Sequence, residues 1–279
     1  MADLWMRFPN GLCKALTLSY DDGVEQDVRL VDIMQKHGLK GTFNLNSGSF
    51  APEGTVYPEG QIHRRLTQKG IVDLFANSDQ EVAIHAYHHG DLPGIPAAHA
   101  VWQIVRDKEA LENLFGRIIR GMAYPYGTYS PAFTQTLRDC GVAYARTTEA
   151  TRRFDIPNDW LTMPATCHHK DPELMNLARR FAEGKPYRPQ LFYLWGHSYE
   201  FESDNNWNVI EEFADYIARR DDIWYATNIE ICDYVQAWRS MHVSADGTRY
   251  HNPTAIPLWL SVNKKTYCIE SGQTLVINP

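Results

Sequence analysis

Short apolar runs recur along the chain, and each is followed by a longer stretch in which apolar positions return every three or four residues. The runs predict buried strands over 15–20, 41–45, 81–86, 118–124, 142–147, 161–165, 191–195 and 223–226. The intervening stretches predict helices over 26–37, 67–76, 97–115, 131–139, 172–183, 206–219 and 229–239. Gly38 ends the first helix, and Ser130 before Pro131 offers a cap oxygen followed by a residue with no N–H to satisfy. Asp171-Pro172 repeats that device. About eight strands alternating with helices imply an α/β fold with a mostly parallel sheet, closed as a (β/α) barrel rather than opened as a Rossmann sheet. No glycine-rich phosphate loop follows the first strand, which also weighs against a dinucleotide fold.

From about Val243 the pattern changes. Thr, Val, Tyr and Ile become frequent, and Asp246-Gly247 and Ser271-Gly272 mark turns. The expectation is a catalytic barrel over 1–240 and a small C-terminal β appendage over 241–279 packed on it. No repeat or low-complexity linker marks another boundary.

Composition narrows the partners. The 279 residues carry 27 Lys+Arg against 34 Asp+Glu, a formal charge of −7 that disfavours nucleic acid and anionic membrane surfaces. No stretch has the apolar length of a membrane span, and the N-terminal segment lacks the pattern of an export signal. The five scattered cysteines include no C-x-x-C pair. These features predict a cytoplasmic protein with neither nucleic acid nor membrane as partner, and they leave its oligomeric state open.

Three strand ends carry chemistry. In LSYDDG, Asp21 and Asp22 stand where an apolar run meets Gly23, and neighbouring strand residues point to opposite sides. The natural division is one metal ligand and one free base; an isolated Asp-Asp-Gly is otherwise a solvated turn. In EVAIHAYHHG, His85 and His89 have the spacing of two imidazoles that converge on one ion. Ala86 stands where a zincin has glutamate, so the base must come from elsewhere. In FYLWGHSYE, His197 follows a buried run. Each signal alone has a structural explanation, but three strand ends on one face of a barrel point to a site.

In this order, Asp-Asp-Gly, His-x-x-x-His, Pro-Tyr-Gly, Asp-Trp and a lone late His resemble the polysaccharide deacetylases, the NodB-homology enzymes of carbohydrate esterase family 4. The resemblance spans roughly residues 14–239 and implies a NodB-like distorted (β/α)7-8 barrel. It implies that Asp21 is the general base, that Asp22, His85 and His89 hold a divalent metal, and that His197 is the general acid. It further implies that the Tyr126 backbone N–H steadies the oxyanion, that Asp159 orients the catalytic histidine, and that Trp160 walls the acyl pocket. Zinc suits two imidazoles and a carboxylate, although cobalt, nickel and iron accept the same ligands.

Two positions depart from the family pattern. Ala123 occupies the place of an arginine that pairs with the base, and Arg146 in the next strand is the nearest substitute, a surface ion pair being the alternative. Trp195 stands in a segment where the family prefers an aliphatic residue, which reshapes the pocket. Tyr87, with Trp160 and Trp195, is a candidate for contact with substrate. Cys167, His168 and His169 look metal-like, but a site wall is the simpler reading. The expected activity is metal-dependent removal of N-acyl, chiefly N-acetyl, groups from an amino sugar or oligosaccharide. The alternatives are hydrolysis of a non-sugar amide such as a cyclic ureide, or glycan binding without catalysis.

Overall fold

The computed structural model describes residues 3–277, so the first two residues of the expected barrel and the last two of the expected appendage lie outside it. In chain order the strands are β1 Leu4–Arg7, β2 Lys14–Asp21, β3 Gly41–Leu45, β4 Glu81–Ile84, β5 Gly121–Ala123, β6 Tyr144–Ala150, β7 Met163–Ala165, β8 Cys167–His168, β9 Gln190–Gly196, β10 Ile223–Tyr225, β11 His242–Val243, β12 Arg249–His251, β13 Leu258–Val262, β14 Lys265–Ile269 and β15 Thr274–Val276. The helices are α1 Asp27–His37, α2 Gln68–Phe75, α3 Ala97–Phe115, α4 Pro131–Asp139, α5 Leu174–Glu183, α6 Tyr199–Ser203, α7 Asn208–Ile217 and α8 Asn228–Arg239.

Strands β2 to β10 pair in parallel, in the order β7-β6-β5-β4-β3-β2-β9-β8, with β10 beside the start of β2. The two ends of that order meet in one piece of chain. Ala165 pairs with Ala150 of β6, whereas Cys167 pairs with Leu194 of β9. Between them the Thr166 N–H donates to the Tyr193 carbonyl at 2.9 Å. Residues 163–168 thus join both edges of the sheet, which is the α/β barrel-type architecture expected from the alternation of elements.

Local chemistry explains the element ends. Gly38 takes the left-handed φ of 66° that ends α1, and the Ser130 hydroxyl accepts the Phe133 N–H at the start of α4. Asp171 differs from the expectation of a helix cap. Its Oδ1 accepts the Glu173 N–H and tightens a turn, so α5 begins two residues after Pro172. Helix α6 and strands β1 and β8 escape the sequence pattern because all three are too short to show a period.

The sheet separates two interiors. Leu16, Leu18, Phe43, Val82, Ile84, Met122, Ala145, Phe192 and Leu194 pack under the helices. The alternate positions point into the ring and are unusually polar. Tyr144 Oη donates to Glu81 Oε1 at 2.7 Å, Thr42 Oγ1 donates to Glu81 Oε2 at 2.7 Å, and Asn228 Nδ2 donates to Tyr193 Oη at 2.8 Å. At one end the tail closes the molecule. Strand β13 pairs with β1, and Tyr234 Oη of α8 donates to the Arg7 carbonyl at 2.7 Å while accepting the Trp259 N–H at 3.0 Å. Among the described residues no helix is long and apolar enough to cross a membrane.

Burial pushes the Glu81 carboxyl up to about 7 despite its three hydrogen bonds. The folded protein therefore holds a proton that the unfolded chain, with Glu near 4.3, releases first. Stability from this group is present below pH 4 and is lost as pH rises through 7. Glu81→Gln keeps the neutral shape at every pH, so urea denaturation from pH 5 to 8 should give a flatter stability curve than the parent protein. An unchanged slope would remove Glu81 as its source.

Candidate active site

Five side chains from three parts of the chain line a cavity of about 260 Å³: Asp21, Asp22, His85, His89 and His197. Tyr124, Tyr126, Thr148, Trp195 and Tyr199 complete its walls. Asp21 ends β2 and points inward, as strand alternation requires. Asp22 does not point the opposite way, because its φ of 88° breaks the strand, and both carboxylates enter one cavity. Gly23 continues the turn at φ 67°.

Asp21 is held from two sides. Asn44, its register partner in β3, donates from Nδ2 to Oδ1 at 2.8 Å, and the Arg146 guanidinium pairs with Oδ2. Arg146 is fully buried, so it is not a surface ion pair. It also stands directly beside Ala123 in the β5–β6 register, where the two side chains share a face. The cation has in effect moved one strand along at the same height. Trp195 covers it, with the guanidinium carbon 4.4 Å from the ring centroid. Burial raises the Asp21 carboxyl, but Arg146, His85 and His197 outweigh it and hold the group below its ordinary range.

His85, His89 and Asp22 present ligand atoms within 4.8 Å of one another. His85 Nδ1 lies 2.8 Å from the Ala123 carbonyl, which can only accept. That hydrogen bond fixes the proton on Nδ1 and leaves the Nε2 lone pair facing Asp21 and the cavity. Burial holds the ring neutral, at about 4. The turn to His89 passes through Ala86 at φ 61° and reaches His89 at φ 56°, which brings the two imidazole centroids to 4.7 Å. The donor set and the fixed tautomer fit a divalent ion held by Asp22, His85 and His89.

Sequence pattern did not point to the residues that brace Asp22. Arg65 donates to Asp22 Oδ1 at 3.0 Å, and His63 Nε2 lies 3.2 Å from Oδ2. Burial raises this carboxyl, but the His63 hydrogen bond and Arg65 bring it far below the usual range. Arg65 also donates to Asn46 Oδ1 at 2.7 Å, and Asn46 donates to the Ala86 carbonyl at 2.7 Å. Both residues lie in the irregular segment between β3 and α2, which has no period to read.

His197 Nε2 stands 3.8 Å from Asp21 Oδ2, the same separation as His85 Nε2 on the other side. Its Nδ1 faces Glu200, 3.3 Å away, and not Asp159. Asp159 instead accepts the Leu161 N–H at 2.9 Å and caps a single 3-10 turn. Trp160 is withdrawn into the core with Tyr144, Met163 and Trp195 and does not line the cavity. The Tyr87 ring packs on Trp102 and His88, also away from the cavity lining. Motif order locates these three residues but not their contacts. The H-x-x-E spacing of His197 and Glu200 is one helical turn and is the signal that identifies the true neighbour. Tyr126 takes a left-handed φ of 58° inside the Pro125–Gly127 turn and sets its ring edge-on to His89 at 4.6 Å.

The fold and site define an α/β barrel-type protein with a histidine–carboxylate centre at its C-terminal strand ends. Residues 9–145, just under half of the chain, match the sequence profile of the polysaccharide deacetylase family, in line with the motif order. A probable peptidoglycan-N-acetylglucosamine deacetylase of Arthroderma benhamiae is 28% identical over 131 residues, which is 44% of this chain and 26% of the relative. The chain thus spans about a quarter of that relative's length. The crystal structure of a probable polysaccharide deacetylase from Pseudomonas aeruginosa PAO1 superposes with a TM-score of 0.60 at 15% identity, covering 81% of this chain and 92% of the other. The Puue allantoinase structure gives 0.58 at 14% identity, with 81% and 91% covered. Identities this low establish the fold alone.

Removing one partner of a buried ion pair typically costs about 3–5 kcal/mol. Arg146→Met should therefore lose stability of that order at pH 7. A depressed carboxyl contributes stability above its unfolded pKa near 3.9 and loses it as pH falls through its lower folded pKa, so the deficit should be smaller at about pH 3 than at pH 7. Asp21→Asn in the same background should recover part of it. Equal deficits at both pH values would show that Arg146 acts by packing alone.

Proposed function

We propose that the protein is a metal-dependent deacylase that hydrolyses the N-acyl, chiefly N-acetyl, group of an amino sugar or oligosaccharide. The observation that carries this reading is the placement of Asp21 between two imidazoles, His85 on the ligand side and His197 on the other, at 3.8 Å from each. Asp22, His85 and His89 would hold the ion, with zinc the best match to their donor types. When bound, it supplies Lewis acidity towards the acyl oxygen and the attacking water.

The side chains divide the proton transfers. Asp21, kept ionised by Arg146, takes a proton from the water as oxygen bonds to the acyl carbon. His197 holds its proton on Nε2 and gives it to nitrogen as the C–N bond breaks, because an unprotonated amine leaves poorly. Burial lowers the basicity of His197, but Glu200, Asp21 and Asp22 reverse this and raise it, which favours the protonated acid at neutral pH. The Tyr126 backbone N–H would meet the developing oxyanion from the turn beside His89. Trp195, Tyr124 and Tyr199 would exclude water around the acyl group.

A second reading, hydrolysis of a small non-sugar amide such as a cyclic ureide, has one observation in its favour. The cavity of about 260 Å³ falls just under the usual range of about 300–1,000 Å³ for small-molecule sites, and Tyr199, Tyr126 and Trp195 wall it in. The two readings part on one experiment. Metal-loaded protein is offered N-acetylglucosamine, chitooligosaccharides, peptidoglycan fragments and ureides, and release of acetate, amine or ring-opened product is followed. Acetate release from the sugars supports the first reading; ring opening alone replaces it with the second.

His85→Ala or His89→Ala should lose metal and turnover together, since each removes one of three protein ligands. Asp21→Asn should keep the metal and lose about 100-fold or more of kcat, in line with the usual worth of a general base. Metal analysis beside initial rates checks both, and near-stoichiometric metal in either histidine variant would refute the ligand set.

A further inference from the structure

A second group of ligand-type atoms, from His168, His169 and Glu200, converges within 4.8 Å behind the cavity. Glu200 Oε2 is 3.2 Å from His168 Nε2, 3.3 Å from His169 Nε2 and 3.3 Å from His197 Nδ1, and Lys170 Nζ is 3.2 Å from Oε1. Either a cation or a set of shared protons could gather such groups. The tautomer decides between them. The Lys170 backbone N–H donates to His168 Nδ1 at 3.1 Å, so Nδ1 is the lone-pair nitrogen and neutral His168 carries its proton on Nε2. That Nε2–H can donate to Glu200 but has no lone pair for a metal. His85 is the opposite case, with its proton fixed on Nδ1 and Nε2 left open. The Lys170 ammonium beside Oε1 would also repel a cation.

We propose that Glu200 is the positioning residue of His197, holding its Nδ1–H so that Nε2 faces the cavity, and that His168 and His169 fix Glu200 in turn. This inference rests on the general-acid role given to His197 above. The local geometry serves that arrangement. The first turn of α6 carries Glu200 three residues beyond His197, and the His197 backbone N–H also reaches Oε2 at 3.3 Å. His169 is 2% exposed and stacked on Phe201 at 4.1 Å and Tyr20 at 5.8 Å. A Cβ at position 196 would lie 2.0 Å from His169 Nδ1, so only glycine admits the ring. Gly196 before His197 thus has a cause. The groups facing His197 are Asp21 from β2, His168 from β8, Trp195 from β9, and Tyr199 and Glu200 from α6.

The test uses the full chain with its metal. Glu200→Gln keeps the volume and removes the charge; Glu200→Ala removes the acceptor. A general acid contributes about 10²–10⁴-fold. The Gln variant should therefore lose on the order of 10- to 100-fold in kcat on an N-acetyl amine. On an aryl acetate, whose phenolate leaves without a proton, it should change by less than about threefold for the same reason. Metal content should stay as in the parent. Nitrogen-15 NMR should show His197 protonated at Nδ1 in the parent and lose that preference in Glu200→Ala. Equal losses on both substrates, or a His197 tautomer indifferent to Glu200→Ala, would overturn the proposal. So would one equivalent of zinc retained by the His85→Ala/His89→Ala double variant and lost on adding His169→Ala. If the parent hydrolyses neither substrate, the functional reading fails, and the NMR comparison still decides the role of Glu200.

Discussion

The ion pair between Asp21 and Arg146 is the interaction around which the rest of the site is arranged. Both groups are out of solvent, Arg146 entirely, and a buried charge pair is costly in proportion to the donors and lone pairs left unmet, here the Arg146 Nε–H. Asn44 meets the second carboxylate oxygen, Trp195 covers the guanidinium face, and the Thr147 carbonyl accepts from Nη1 at 3.3 Å. The polar interior of the ring continues this pattern downward through Asn44, Ser19 and the Glu81–Thr42–Asn228 contacts. An apolar ring interior could not hold an ionised carboxylate at the mouth. The unusual polarity inside the sheet is therefore part of the chemistry and not a defect of the core.

The same residue types serve two opposed purposes a few ångströms apart. At His85 a carbonyl takes the proton of the remote nitrogen and exposes a lone pair; at His168 a backbone N–H takes the lone pair of the remote nitrogen and exposes a proton. One arrangement suits a cation and the other suits a carboxylate. Composition and spacing do not distinguish them, since both clusters are two histidines and one acid. The direction of a single backbone hydrogen bond does.

That limit accounts for how far sequence reading reached. The elements were readable where a run was long or punctuated: 41–45, 97–115 and 131–139 coincide with β3, α3 and α4, with Ser130 at its cap. Asp21, Asp22, His85, His89 and His197 were readable as strand-end residues because parallel strands of a barrel deliver their C-terminal ends to one face, where all five line a single cavity. Asp159 and Trp160 rest on motif order alone and Tyr87 on being an aromatic residue beside a motif, and neither signal carries side-chain direction; a short 3-10 turn is enough to send Asp159 to its own backbone and Trp160 to the core. Arg65 and His63 sit in a segment without periodicity, so nothing in the chain announces that they return to Asp22.

The two roles proposed for the adjacent aspartates are divided by their cations, since strand alternation does not separate them. Asp22 leaves the strand at a positive φ and enters the same cavity as Asp21, so direction does not divide the pair. Asp21 Oδ2 belongs to Arg146, a fixed charge on a rigid strand that holds the carboxylate ionised and in place. Asp22 faces Arg65 and His63, both partly exposed and outside the parallel sheet, and it is Asp22 whose Oδ1 stands 4.0 Å from His89 Nε2. A cation arriving among the ligand atoms can displace a loop guanidinium far more easily than a buried one bound between Trp195 and the sheet. Under the proposed mechanism, the carboxylate with the more exposed partner is the one that becomes a ligand, and the carboxylate with the buried partner is left as the base.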